Sequence, residues 1–128
     1  MREKALGQDH PEVAQSLSLL GTLYHAQGKF AEAEPLYLRA LGIRHSKLGP
    51  LDPDVARSFT NLALLYKAQG RYSHAEPLFI RALAVWQKAP GQEYPNLFQA
   101  VNNLAAFYYA QGKYGEAEPL YRRALAIR

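Results

Sequence analysis

The sequence predicts an all-α fold without a sheet, built from three helix–turn–helix repeats and therefore from six helices. Two observations predict it. The 128 residues can be divided into three gapless copies of 42 residues, at 2–43, 44–85 and 86–127, and apolar residues in each copy recur at helical spacing. We therefore treat 1–128 as one repeat array rather than as an ordinary globular domain.

Glycine and proline show the repeat most clearly. Of the 9 glycines and 8 prolines, twelve fall in four columns that recur every 42 residues. These columns are Gly7/Gly49/Gly91, Pro11/Pro53/Pro95, Gly28/Gly70/Gly112 and Pro35/Pro77/Pro119. Fourteen of the 42 columns are identical in all three copies. Residues that would break helices if they were scattered therefore separate them instead.

The first helix of each repeat is predicted from a stripe at i, i+3, i+4 and i+7. In the first copy this stripe consists of Leu17, Leu20, Gly21 and Tyr24. Proline is tolerated in a first helical turn, so Pro11 and its equivalents indicate where these helices start. Asp52 is a good N-cap for the second copy, whereas His10 is a poorer one for the first. Glycine at Gly28 and its equivalents permits a left-handed helix stop.

A second stripe, formed by Phe30, Ala33, Tyr37 and Ala40, predicts a second helix that runs to about His45. Gly49 and its equivalents then mark the loop to the next pair. The aromatic columns that include Tyr24 and Tyr37 are predicted to pack in the core. Pro35 lies inside this helix, where proline removes a backbone hydrogen bond, so we expect either a slight bend or a late start.

These columns resemble the tetratricopeptide repeat, a helix–turn–helix unit of usually about 34 residues. The longer period resembles the subfamily typified by kinesin light chains, on the strings HPEVAQSLSLLGTLYHAQGKFAEAEPLYLRAL and DPDVARSFTNLALLYKAQGRYSHAEPLFIRAL. The resemblance implies a right-handed α-solenoid whose concave face is lined by the first helices. Residues 2–6 align with the end of a second helix at 44–48. We therefore expect a fragment of a longer array, whose uncapped ends associate from molecule to molecule.

The resemblance also implies that the concave groove binds a peptide or protein segment. Asn61 and Asn103 match the asparagines that hold peptide backbone in kinesin-light-chain-like repeats, whereas Leu19 replaces this asparagine in the first copy. Arg57, Lys67 and His25 favour an acidic segment. The candidate groove residues are those off the packing stripe: Gln15, Ser18, Thr22, His25, Arg57, Thr60, Asn61, Leu64, Lys67, Gln99, Asn102, Asn103, Ala106 and Tyr109.

Composition and motifs argue against catalysis, metal binding and a cofactor. There is no cysteine, and the four histidines occupy unrelated columns without metal-ligand spacing. No nucleophile motif or phosphate-binding glycine loop is present. The pairs Glu32/Glu34 and Glu116/Glu118 are predicted to lie on exposed helix surface. Because no apolar run is long enough to span a membrane, we expect no membrane association and a cytoplasmic location.

The sequence also bears on two other ligands for the groove. Arrays that grip chaperone tails through a carboxylate clamp need lysine and arginine where this chain has Ser18, Thr22, Gln99 and Asn103, so that ligand is disfavoured. Single-stranded RNA is an alternative, because helical repeats can read bases one at a time. The net charge of only +4 makes nucleic acid the weaker prediction.

Overall fold

A computed structural model describes residues 10–88 and 94–127, and over these residues the chain forms six α-helices and no strand. The helices are α1 (Pro11–Ala26), α2 (Phe30–Leu48), α3 (Pro53–Ala68), α4 (Tyr72–Lys88), α5 (Tyr94–Ala110) and α6 (Tyr114–Ile127). They pack as the pairs α1/α2, α3/α4 and α5/α6, and each pair packs on the next through α2/α3 and α4/α5. The all-α repeat fold predicted from the sequence is confirmed.

The turn inside each pair is the same backbone structure repeated three times. In the first pair Gly28 has φ +77°, its N–H donates to the carbonyl of His25 (3.0 Å), and the N–H of Lys29 donates to that of Tyr24 (2.8 Å). These two hydrogen bonds satisfy carbonyl groups at the end of the helix. They require one residue in the left-handed conformation, which glycine adopts without strain. The predicted stop of the first helices is therefore confirmed.

The positions at which the second helices begin show whether Pro35 and its equivalents delay the start of these helices. The helix α2 begins at Phe30, five residues before Pro35, and α4 and α6 begin at the same distance before their prolines. A late start is therefore excluded. Pro35 and Ala31, whose carbonyl loses its helical partner, are both exposed, so water can satisfy that carbonyl. The helix α2 ends at Leu48, slightly beyond the predicted end.

Small residues allow the helices to approach one another closely. Ala14, Ala33 and Ala40 are fully buried, as are their equivalents in the second repeat. A Cβ atom added to Gly21 would lie 2.8 Å from Cε1 of Tyr37, so any larger residue there would require the ring to shift. The hydroxyls of Tyr37 and Thr22 are 2.9 Å apart and share a hydrogen bond.

Neighbouring repeats are linked by a tyrosine–glutamate hydrogen bond that the sequence reading did not anticipate. The Tyr66 hydroxyl donates to Oε2 of Glu34 (2.9 Å), and the Tyr108 hydroxyl donates to Oε2 of Glu76 (2.6 Å). Arg71 adds an ion pair to Glu34 at 3.3 Å. The prediction that Glu34 belongs to an exposed charged surface is therefore wrong, because this carboxylate joins two repeats.

These hydrogen bonds change the acidity of the tyrosines. Burial, followed by the hydrogen bond to Glu76 and its negative charge, raises the pKa of Tyr108 to about 12. Burial and the equivalent hydrogen bond to Glu34 also raise the pKa of Tyr66.

The predicted helical tail at residues 2–6, together with Gly7 and Gly91, lies outside the described residues.

Candidate functional site

One cleft of about 320 Å³ runs across the three first helices and is also lined by one residue from each of two second helices. We call it the inner cleft and define it by its lining residues. These are Gln15, Ser18, Leu19, Thr22, Arg44, Arg57, Thr60, Asn61, Trp86, Asn96, Gln99, Ala100 and Asn103. Among the described residues, the lining contains amides, hydroxyls, two arginines and a tryptophan, but no carboxylate.

Helical spacing explains how each first helix presents these side chains. Gln15, Ser18 and Thr22 lie at i, i+3 and i+7 of α1, and so form a line along one face of it. The opposite part of each first helix packs in the core, as Leu62 and Leu65 of α3 do. Because the three first helices stack in the same orientation, the polar side chains along each of them line one continuous cleft.

Eight of the fourteen predicted groove residues line the inner cleft: Gln15, Ser18, Thr22, Arg57, Thr60, Asn61, Gln99 and Asn103. The other six do not: His25, Leu64, Lys67, Asn102, Ala106 and Tyr109. His25 packs its ring on Phe30, with centroids 5.6 Å apart. Tyr109 lines a separate apolar hollow beside α6.

The polar groups of the inner cleft differ in how far they are already engaged. Thr60 donates its hydroxyl to the carbonyl of Ala56 (3.0 Å), and the Gln99 amide donates to Oδ1 of Asn103 (2.8 Å). The half-buried Asn61, by contrast, makes no hydrogen bond to any described residue. Its amide can therefore both donate to and accept from a ligand.

Sequence reasoning missed the two residues contributed by the second helices. Arg44 and Trp86 occupy the same column of successive repeats, and both are buried. Arg44 lies four residues after Ala40 and so continues the apolar stripe that contains Tyr37 and Ala40. A charged residue on an otherwise apolar stripe is the signal that would have identified it. Asn96 and Ala100 were missed as well.

Arg44 is held by neutral acceptors. Its Nη1 donates to Oγ of Ser58 (3.0 Å) and, at 3.4 Å, to the carbonyl of Asp54, while Nη2 donates to Oε1 of Gln15 (2.9 Å). Burial lowers the pKa of the Arg44 guanidinium, and the nearby Asp54 carboxylate partly opposes this shift.

Arg57 stands beside Arg44 at the rim of the inner cleft. It pairs with the Asp54 carboxylate at 2.7 Å and lies over the Trp86 ring, 5.6 Å from its centroid. The arginines of α2 and α3 thus bring two positive charges to the same part of the cleft.

Two absences hold for the described parts of the chain. No helix among residues 10–88 and 94–127 is long and apolar enough to cross a membrane. Over the same residues, His, Asp and Glu side chains nowhere gather in a group that could hold a metal ion.

Comparisons with known proteins agree with this architecture. The sequence profile described as "Tetratricopeptide repeat" matches residues 1–46, 12–88 and 54–128. No curated protein matches the chain.

Among the solved structures that are similar to it, three illustrate the range of similarity. BtubC (BKLC) from P. vanneervenii is 30% identical with a TM-score of 0.91, and the match covers 99% of this chain and 51% of that one. A Podosopora anserina putative kinesin light chain with nearly identical TPR-like repeats is 29% identical with a TM-score of 0.84, over 98% of this chain and 60% of that one. The quorum sensor NprR from B. thuringiensis, at 15% identity and a TM-score of 0.53 over 89% of this chain and 42% of that one, shares the fold alone. This chain thus spans between 51% and 60% of the length of the two more similar proteins.

Proposed function

The chain belongs to the tetratricopeptide repeat family, and on that premise we propose that it is a non-catalytic interaction scaffold whose inner cleft binds an extended protein segment. Arrays of this family generally mediate protein–protein interactions. The observation that carries the proposal is the convergence of polar side chains from all three first helices on one cleft, whose lining includes Asn61, an amide without a hydrogen bond to any described residue.

The chemistry of the inner cleft suits an extended backbone. A peptide in extended conformation presents N–H and C=O groups that need partners once they leave water. The side chain of Asn61 provides an NH₂ group that donates and a carbonyl oxygen that accepts, and the Nδ2 group of Asn103 remains available after its Oδ1 accepts from Gln99. Leu19 and Trp86 add apolar surface beside these amides.

The test is a selection from a displayed library of random twelve-residue peptides, followed by affinity measurement on this chain. We expect Asn61→Ala and Asn103→Ala each to weaken a selected peptide by roughly threefold to tenfold, the cost of about one hydrogen bond. Asn102→Ala is the matched control, because Asn102 is adjacent in sequence but does not line the cleft. Equal affinities for the parent and for Asn61→Ala/Asn103→Ala would show that the peptide binds elsewhere.

A second candidate function is head-to-tail association between copies of the chain. The face of α1 that includes Leu20 and Leu23 corresponds to the faces that α3 and α5 bury against the preceding repeat. Leu23 is 51% exposed, whereas its equivalent Leu65 is 0% exposed. The first helix therefore presents an apolar face that no described residue covers as the preceding repeat covers Leu65.

The complementary face lies on α6. Leu125 is 67% exposed, whereas its equivalent Leu83 is 7% exposed beneath the next repeat. Together with Tyr109, Tyr114 and Tyr121, Leu125 lines an apolar hollow of about 310 Å³. The equivalent surfaces of α2 and α4 pack against the first helix of the next repeat, so the α6 face fits the α1 face of a second copy. By analogy with the Tyr66–Glu34 and Tyr108–Glu76 bonds, Glu118 would accept from the Tyr24 hydroxyl of that copy.

Sedimentation over a concentration series tests the association. We expect the parent mass to rise with concentration and Leu23→Glu to remain monomeric. Leu51→Glu is the control: Leu51 is also exposed, but it lies in a loop column that carries Asp9 and Glu93 in the other repeats. A monomeric parent at millimolar concentration would contradict the association and leave peptide binding in the cleft unaffected.

A further inference from the structure

The second helices form a groove of their own, which shares no lining residue with the inner cleft. It has a volume of about 350 Å³ and lies between α2 and α4, with residues of α3 as its floor. We call it the outer groove. Its apolar part consists of Leu38, Leu41, Leu62, Tyr66, Pro77 and Leu78, and its polar residues are Ser73, His74 and Arg81.

The apolar part of the outer groove is accessible to a ligand. Leu38 is 47% exposed on the α2 side, whereas Leu62 and Tyr66 on the floor are buried. Ligand sites are mostly apolar concave surfaces in which a few polar groups fix the orientation of the ligand. The polar groups of the outer groove therefore indicate which ligand chemistry it fits.

Arg81 gives the outer groove a positive charge that the protein does not pair. Its guanidinium lies over the Phe59 ring, 5.8 Å from the centroid, and makes no hydrogen bond or ion pair with any described residue. None of the described residues that line the groove carries a carboxylate. A carboxylate on the ligand would complement this charge.

The repeat pattern shows how this charge came to be unpaired. The other two repeats each carry a glutamate seven residues before the arginine of this column, as Glu32 precedes Arg39. In the second repeat His74 takes the place of that glutamate. Positions i and i+7 lie on one face of a helix, two turns apart. The face of α4 that bears Arg81 thus lacks the carboxylate that the equivalent face of α2 carries.

Pro77 adds a backbone acceptor to the outer groove. Because proline has no N–H, the carbonyl of Ser73, four residues earlier in α4, loses its helical donor. Ser73 and Pro77 are both exposed, and both line the groove. A backbone N–H of a ligand can replace this donor, but the N–H groups inside a helix already donate to the helix itself. The acceptor therefore favours a ligand in extended conformation.

We propose that the outer groove is a second docking site, which binds an extended protein segment that carries an aliphatic side chain close to an aspartate or glutamate. The aliphatic side chain lies between Leu38 and Leu78, the carboxylate pairs with Arg81, and a backbone N–H donates to the Ser73 carbonyl. Ser73 and Arg81 are about 12 Å apart along the axis of α4, a distance that an extended segment spans in about four residues. The site goes beyond the proposed function and does not depend on peptide binding in the inner cleft.

A selection followed by depletion isolates ligands of the outer groove. A displayed library of random twelve-residue peptides is enriched on this chain and then depleted on Leu38→Glu, which places a negative charge in the apolar part of the groove. We expect the surviving peptides to share an aliphatic residue with Asp or Glu within about four positions. Ile80→Glu is the matched control and should bind them as the parent does, because Ile80 occupies the same column, is 46% exposed and does not line the groove.

Two further variants test the polar groups. We expect Arg81→Gln to weaken a surviving peptide roughly twofold to fivefold, since it removes an exposed ion pair. Pro77→Ala introduces an N–H that donates to the Ser73 carbonyl, so it should weaken the peptide roughly twofold to tenfold while raising the melting temperature. Pro119→Ala makes the same change in α6, outside the outer groove. It should raise the melting temperature as well and leave the affinity unchanged.

The outcomes separate the outer groove from the proposed function. Absence of surviving peptides, or survivors without an acidic residue, would overturn the outer groove, as would affinities unchanged in both Arg81→Gln and Pro77→Ala. Survivors that Asn61→Ala/Asn103→Ala weakens as much as Leu38→Glu does would bind in the inner cleft and so contradict it too. A mass that rises with concentration in the parent but not in Leu38→Glu would assign the groove to a second copy instead. If Asn61→Ala/Asn103→Ala weakens no peptide while the survivors respond as expected, only the peptide site of the inner cleft is overturned.

Discussion

Two glycines of the first repeat, Gly21 and Gly42, face opposite surroundings. A Cβ atom at Gly21 would lie 2.8 and 2.9 Å from two ring atoms of Tyr37, whereas one at Gly42 would meet nothing within 4 Å. We expect Gly21→Ala to lower the free energy of unfolding by about 1–3 kcal/mol, because the ring must shift. Gly42→Ala, in an open helical position, should raise it by about 0.5–1 kcal/mol. Urea denaturation measures both, and equal effects would show that the Tyr37 ring does not limit this site.

The Tyr108–Glu76 bond predicts how the chain responds to alkaline pH. Because the folded pKa of Tyr108 is raised to about 12 from the ordinary tyrosine value of 10.0, its contribution to stability is complete below pH 10.0 and is lost as the pH rises through about 12. Absorbance at about 295 nm, where tyrosinate absorbs, should show a late step that Tyr108→Phe removes. Glu76→Gln should move this step to lower pH, because it removes the negative charge that opposes ionisation. A step that persists in Tyr108→Phe would contradict the assignment.

At the scale of the helix, the N-caps show how short polar side chains set the starts. Oδ1 of Asp52 accepts from the N–H of Asp54 (2.9 Å), and Nδ1 of His10 accepts from that of Glu12 (3.0 Å). The sequence ranked His10 as the poorer cap, yet it makes the same bond. The bond forms because the residue before the proline is extended (ψ 141°), which turns its side chain toward the first turn.

The cap of α3 can be tested with a neighbouring control. We expect Asp52→Ala to lower the free energy of unfolding by about 1 kcal/mol, since one N–H at the helix start loses its acceptor. Asp54→Ala removes the exposed ion pair with Arg57 and should cost less than about 0.5 kcal/mol. Thermal unfolding followed by circular dichroism compares them. A larger loss in Asp54→Ala would show that the ion pair, not the cap, stabilises this end.

For the whole molecule, stability depends on how many neighbours a repeat has. Leu65 in α3 is 0% exposed because the preceding repeat covers it, whereas Leu23 in the same column of α1 is 51% exposed. Stacked repeats are stabilised through contacts with nearest neighbours. The same substitution should therefore lower the free energy of unfolding by different amounts in different repeats.

Substituting alanine for the equivalent leucines Leu65 and Leu23 measures this difference in unfolding free energy. We expect Leu65→Ala to cost about 2–5 kcal/mol of unfolding free energy, the range for a fully buried leucine. Leu23→Ala should cost less than about 1 kcal/mol, because much of its side chain already contacts water. Urea denaturation at low protein concentration, where copies do not associate, gives both values. Similar costs would mean that α1 is covered in solution.

The inner cleft shows which part of a site can be read from periodicity. The stripe assigned Gln15, Ser18 and Asn61 to one side of their helices, and these residues line the cleft. It could not exclude Lys67 or Tyr109, because these lie at the far ends of their helices and periodicity does not report position along the cleft. Arg44 was not predicted as a groove residue, because the prediction covered first helices only and Arg44 lies on a second helix.

The sequence by itself determined the repeat, the six helices and their turns. Each of these depends on local chemistry that recurs along the chain: apolar spacing and a left-handed glycine in all three repeats, and a cap before a proline in the first two. Tertiary structure alone decided that Glu34 joins two repeats, that Leu65 is covered while Leu23 is not, and that Arg44 meets Ser18 and Arg57. These relations join residues from different helices, so they depend on the crossing of helices in space, which no period along the chain encodes.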